Sequence, residues 1–374
     1  MRRKGFITAI LGLAVGIFLL FQSEELSMGI RRGLSLCTTL VIPSLFPFMA
    51  LSVFLTNSRA FLFLSQLFRP FTRLLKLPQT AGSLLLSALI GGYPAAAKGI
   101  ADYVTAGRLD QKTGARMLTF CVNAGPPFLI GAVGVGIFHS RKLGFLLFLA
   151  QFLSASLIAL LPTFFLTRPT DTPASSRSSV PSNASCLVSA VIEAAESCFR
   201  MCAFVLLVCG VVDLLSGVPF LRFFTENPLY NALFTGFFEV TAGIAACGVS
   251  GAGLLAAGAI TSFSGLCVIF QIAAVTDQSG ISLRPFLLSR PVHALFTAGF
   301  LRLFLSFSHE TVETFSAKGG TMEAVFSASA PAAVSLLCMA SLFLLTLVPA
   351  ETEEKPKNSR RKPKILRFWR RKKQ

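Results

Sequence analysis

Glu239 is the only charged residue between Glu226 and Asp277. A carboxylate isolated in so apolar a stretch can bind a cation, accept hydrogen bonds from a solute or carry a proton. It could equally sit in a static salt bridge, for which Lys98 is the natural partner. The two residues fall in stretches of similar character, Gly91 to Lys98 and Gly236 to Gly243, where glycine and proline interrupt long apolar runs. Gly92 and Tyr93 belong to the first interruption, Gly236 and Thr241 to the second. Two further interruptions follow, at Asn123 to Pro127 and at Ser262 to Gly265, bringing in Asn123, Ser264 and, a few residues on, Gln271. Broken helices at matching positions are a pointer to a transport site, because half-helix N-termini offer N–H donors to an anion or polar solute. The competing reading is kinked helices packed closely through small residues. Asp102, Arg290, His293 and Arg302 are weaker candidates.

The residues for an enzyme do not assemble. A serine protease within the membrane needs a Gly-x-Ser-type turn and a histidine; Ser264 and His293 are present, but no glycine precedes at the required spacing. Gly-x-Gly-Asp, His-Glu-x-x-His and phosphate-loop patterns are absent. The nine cysteines form no Cys-x-x-Cys pair, and Cys198 with Cys202 alone makes a poor metal site. The expectation is a protein that is not an enzyme and holds no cofactor or metal.

The elements that must position these residues cross a membrane. Of 374 residues 53% are hydrophobic and 14% charged, against about 25% charged in soluble domains. Charges are missing altogether from residues 5–23, 33–58, 77–97, 117–138, 143–166 and 324–350. A membrane helix needs about 20 apolar residues, and six such runs exceed what one soluble core could bury. Spans are expected near residues 6–21, 33–55, 143–166, 187–215, 291–308 and 324–348, with the interrupted regions at 80–138 and 228–275. Residues 58–77 mix Arg59, Arg69, Arg73 and Lys76 with Phe and Leu, as an interfacial helix would.

The net charge is +17, and residues 351–374 carry eleven Lys or Arg against three Glu. Beside a membrane, such a tail is held in the cytoplasm and attracts anionic lipid; no nucleic acid is expected as partner. Residues 1–28 read as an uncleaved signal-anchor span, 168–184 as a polar linker and 310–350 as holding the last span. Between them the chain repeats. Shifted by 144, Ala88, Leu89, Gly92, Gly99, Ile100 and Ala101 meet Ala232, Leu233, Gly236, Gly243, Ile244 and Ala245. Whether the repeats are parallel or inverted depends on how many broken segments truly cross.

Ser87-Ala88-Leu89-Ile90-Gly91-Gly92-Tyr93-Pro94-Ala95-Ala96-Ala97-Lys98 resembles the SGYPxGAK motif of the sporulation integral membrane protein family YlbJ. Phe238 to Ile244 is similar to that family's FEVTxGI stretch, Ser264 to Gln271 to its GGLSVxxQ stretch, and Asn123 to Pro126 to its NxSP segment. Ala96 stands where glycine is usual, Ala124-Gly125 replaces an Asn-Ala-Ser run and Cys267 replaces serine. The resemblance implies an all-α polytopic membrane protein of about 8–10 spans, with two Gate-like (nucleoside-recognition) repeats, residues 29–167 and 185–309, built on broken or re-entrant helices. It implies a cell-membrane protein of the sporulating mother cell that serves spore cortex or envelope maturation. A transporter-like permease with a polar midplane site, handling a small polar solute or ion, is the leading expectation; a non-transporting scaffold that retains the Gate fold is the alternative.

Overall fold

The computed structural model describes residues 10, 12–13, 16–58, 66–164, 183–216, 227–250 and 253–307. Every regular element among them is helical. The α-helices are α1 (Ser23–Leu36), α2 (Ile42–Asn57), α3 (Arg69–Leu74), α4 (Gly82–Thr105), α5 (Gln111–Cys121), α6 (Arg141–Leu160), α7 (Asn183–Ser216), α8 (Pro228–Phe238), α9 (Val240–Ser250), α10 (Gly253–Phe263), α11 (Gly265–Thr276) and α12 (Arg284–Phe307), with π-helical segments at Cys37–Val41 and Pro127–Ile137. The expected last span, the basic tail, part of the first span and most of the linker lie outside the described residues.

Five helical stretches are long and apolar enough to cross a membrane: Ser23–Leu55, Gln79–Thr105, Arg141–Thr163, Ser185–Leu215 and Gly253–Ser279. Their outer faces stay apolar. Leu34, Phe145, Ile192, Phe199, Leu207 and Phe270 are each at least 52% exposed, an arrangement suited to lipid and not to water. The first stretch runs through residues 28 and 29 without a break, since the π-turn at Cys37–Val41 joins α1 to α2. Its extra width arises where Pro43 has no N–H to give to the preceding turn. Thr38, Thr39 and Ser44 hydroxyls bond back to the Leu34, Ser35 and Leu40 carbonyls at 3.0, 2.7 and 2.5 Å.

Local capping fixes where helices begin. Asp110 accepts the Thr113 N–H at 2.9 Å to start α5. Asn227 accepts the N–H groups of Leu229 and Tyr230, with Pro228 in the first turn of α8. Ser140 caps α6 through the Leu143 N–H. Each cap satisfies a backbone donor with no partner inside its helix, worth roughly 1 kcal/mol.

Two elements double back. The Ser83 and Tyr103 hydroxyls meet at 3.1 Å, although twenty residues of straight helix would part them by about 30 Å. The reversal is at Gly92, at φ 71 and ψ −159, a conformation that only glycine adopts cheaply. So α4 is a hairpin with two antiparallel arms, not a crossing helix. The pair α8–α9 is a second hairpin: the backbone of Gly236 lies directly against Gly243, with Glu239 at the tip. By contrast, α5 and the Pro127–Ile137 segment go to different neighbours, as do α10, which packs on α12, and α11, which packs on α4. These pairs are broken helices that continue past their breaks.

Around this centre, α1 and α2 pack against α7, and α2 also against α4. Gly29 and Gly33 let α1 approach Cys209 and Gly210 of α7 at backbone distance, the small-residue packing that membrane helices favour. On the other flank α6 and α12 pack together and cover α5 and α10.

Candidate functional site

Each hairpin tip crosses one broken helix. At the first crossing, a Cβ on Gly92 would stand 3.2 Å from the Gly125 nitrogen and 3.6 Å from the Asn123 carbonyl. At the second, a Cβ on Gly265 would stand 3.0 Å from the Gly236 carbonyl and 3.4 Å from that of Phe238. Both contacts are backbone against backbone. Ser264 and Gly265 both hold positive φ, 77 and 61.

The two crossings share one cavity of about 30 Å³, room for a water or two. Its walls are the first turns after all four breaks: Tyr93 and Pro94, Gly125 and Phe128, Val240 and Thr241, Cys267 and Val268. Four helix N-termini therefore face one point, each carrying up to about half a positive charge. Glu239 is the carboxylate among them, only 2% exposed. Its Oε2 accepts the Ala242 N–H at 2.6 Å, and Thr241 adds its backbone N–H and hydroxyl. Glu239 thus caps α9 while its own N–H closes α8 on the Thr235 carbonyl at 2.8 Å.

Of the residues singled out in the sequence, Gly92, Tyr93, Glu239, Thr241 and Gln271 line this cavity. Gln271 donates to the Cys267 sulfur at 3.2 Å. Asn123, Gly236 and Ser264 form the crossings around it. Asn123 donates to the Phe120 carbonyl at 2.6 Å, and its buried Oδ1 has no partner. Lys98 is elsewhere. It pairs with Asp102 at 2.9 Å and Glu193 at 3.6 Å, so the salt bridge considered between Lys98 and Glu239 does not form. The α4 arm carries Lys98 about 9 Å of helix beyond the tip, onto the α7 side.

Arg290 matters more than its sequence context suggests. It is 1% exposed. Its guanidinium donates to the Val122 carbonyl at 2.9 Å and to the Thr119 carbonyl, approaches the Ser264 hydroxyl at 3.5 Å, and lies 4.6 Å from the Phe286 ring centre. One side chain from α12 thereby ties the end of α5 to the break between α10 and α11. A cation at a helix C-terminus is favourable. Among the described residues no carboxylate comes within ion-pair distance of it. The available signal was a charge three residues before His293 inside a mostly apolar helix.

Tyr93 joins the cavity to this cluster. Its ring lines the cavity while its hydroxyl donates to the Thr261 carbonyl and lies near Ser264 and the Gln151 amide. That amide, 2% exposed, closes no hydrogen bond of its own. His293 directs Nε2 to the Gln151 carbonyl at 3.3 Å, and Ser264 faces Arg290, so the serine and histidine engage different partners.

No family model matches the chain, and no solved structure does. Among curated proteins, the sporulation integral membrane protein YlbJ of Bacillus subtilis (strain 168) is 26% identical over 310 residues, covering 73% of this chain and 76% of the relative. The match spans most of both chains, and the relative bears the name of the family that the motifs at Gly91 to Lys98, Phe238 to Ile244 and Ser264 to Gln271 resemble. The chain is a polytopic integral membrane protein, and its distant similarity to YlbJ supports kinship with that family.

Proposed function

We propose that this protein is a permease-like membrane protein of spore formation, with two Gate-like repeats holding a small polar solute or ion where they meet. The carrying observation is the convergence of four helix breaks on one cavity that contains one buried carboxylate. Each repeat would be a re-entrant hairpin followed by a broken crossing helix: α4 with α5 and Pro127–Ile137, then α8–α9 with α10–α11. Irregular backbone at membrane depth is tolerated where it lines a cavity or is buried in protein. Here it does both. At about 30 Å³ the cavity is far below the roughly 300–1,000 Å³ of ordinary ligand pockets, so this is a closed arrangement. Admitting a solute requires the hairpin tips to withdraw. The sporulation setting follows the relative's name, and the cortex or envelope role follows the motif resemblance alone.

The second reading, a scaffold that transports nothing, draws on Glu239 itself, whose hydrogen bonds already account for it as a helix cap. Glu239→Gln separates the two. A glutamine oxygen can still accept the Ala242 N–H, while the charge is gone. The variant should fail to restore heat-resistant spores to a spore-former lacking its own YlbJ, at normal protein level. Normal spore titres would leave the scaffold reading standing and end the permease one.

A further inference from the structure

A second cavity, of about 40 Å³, adjoins the first. Its lining continues that of the crossing cavity on three helices at once. On α2, Leu45 faces the crossing, then Met49 and Val53 face the second cavity. On α7, Met201 gives way to Ser197 and Glu193. On the second arm of α4, Pro94 gives way to Ala95, Lys98 and Asp102. From Leu45 to Met49, from Met201 to Ser197 and from Pro94 to Lys98 the step is about one turn, or roughly 6 Å of helix, and all three run toward the open end of the α4 hairpin. The two cavities are therefore stacked along one seam, with Met49, Ala95 and Met201 at the junction.

The second cavity is ionic. Lys98 lies between Asp102 and Glu193, 34% exposed against 60% and 32%. Asp102 is three residues from the end of α4, while Lys98 is about 10 Å of helix inside it. Partly exposed charges at that depth face water or protein and not hydrocarbon, and the cavity has space for water.

We propose that the seam between α2, α4 and α7 is a water-filled vestibule through which a hydrophilic solute reaches the helix crossing, shut from it here by Met49, Ala95 and Met201. The vestibule's role as a route rests on the permease reading; its hydration does not. One lysine against two carboxylates leaves a surplus negative charge, so the vestibule admits cations and neutral polar molecules more readily than anions.

Cysteine labelling in liposomes containing the full chain tests this. Ser197→Cys faces the vestibule. Phe199→Cys, two residues along the same helix, replaces a side chain 76% exposed on the outer face. A thiol reacts as its thiolate, which hydrocarbon suppresses. Above the background of the parent chain, a membrane-impermeant cationic methanethiosulfonate should label Ser197→Cys roughly tenfold faster than Phe199→Cys, and faster than its anionic counterpart does. Equal rates at the two positions overturn the vestibule. Should Ser197→Cys not accumulate, Glu193→Cys reports the same wall. The labelling needs no transport, so it reads out independently of Glu239→Gln.

Discussion

Gly92→Ala is the sharpest perturbation of the helix crossing. Gly92 sits at φ 71 and ψ −159, and holding alanine there costs about 1–3 kcal/mol in backbone strain. The new methyl would also stand 3.2 Å from the Gly125 nitrogen. That neighbour is backbone and cannot rotate away, and the Arg290 hydrogen bond to Val122 restrains the segment it belongs to. A total near 2–3 kcal/mol is expected, in the upper part of that range. Gly107 supplies the control: its φ is 66, but no atom lies within 4 Å of an added Cβ, so Gly107→Ala should cost only about 1–2 kcal/mol. Cys37, Cys121 and Cys267 are at most 4% exposed, so a thiol-reactive dye reports their exposure as the protein melts. At roughly 2–4 °C per kcal/mol, Gly92→Ala should melt about 4–12 °C below the parent chain at fixed scan rate and Gly107→Ala about 2–8 °C below. A shift for Gly92→Ala no larger than that for Gly107→Ala would refute the backbone-on-backbone crossing.

Arg290→Met should lower stability by about 3–5 kcal/mol, since it strands buried carbonyls that now accept from a charged donor; Arg290→Lys, which keeps the charge but not the fork, should lose less in the same dye assay. A double-mutant cycle of Lys98→Ala with Glu239→Gln should show coupling within about 0.5 kcal/mol of zero, whereas Lys98→Ala with Glu193→Gln should couple measurably. Asp110→Ala should cost about 1 kcal/mol through loss of the α5 cap. Partial burial pushes the Asp110 carboxyl up, but hydrogen bonds from the Thr113 hydroxyl and nearby backbone N–H groups outweigh it and hold the carboxyl below its ordinary value. Its stabilisation is therefore full above the unfolded pKa and fades as pH falls through the folded one, so melting of Asp110→Ala and of the parent chain should converge in acid.

The membrane character and the helix breaks were legible because both are written in local composition: charge-free runs, then Gly91-Gly92 and Asn123 to Pro127 inside them. The matched internal segments fall on the two hairpins, but out of register with their tips. A shift of 144 sets Gly92 opposite Gly236, whereas the structure sets the Gly92 tip opposite Glu239, three residues later. Apart from Gly92 itself, the matched identities belong to the arms, where small residues let helices approach, while a tip can be made either by a glycine or by a capping side chain. The hairpin in α4 was open in the sequence because a reversal and a kink need the same glycine; only Ser83 meeting Tyr103 decides. Lys98 misled because spacing along the chain says nothing about which side of an arm faces the centre. Arg290 was undervalued because its partners, Thr119, Val122 and Ser264, are mostly backbone carbonyls that no residue pattern encodes.

The tightest approaches at the crossings are main chain on main chain, at Gly92 with Gly125 and at Gly265 with Gly236. Main-chain atoms are the same whatever the residue, so these contacts can set the shape of the centre but carry no chemical selectivity. Under the proposed permease reading, selectivity would then be written in the few side chains of the adjoining turns, Tyr93, Thr241, Cys267 and Gln271. On that reading a descendant of this protein could take a different solute through one or two substitutions at those positions, with the crossings untouched.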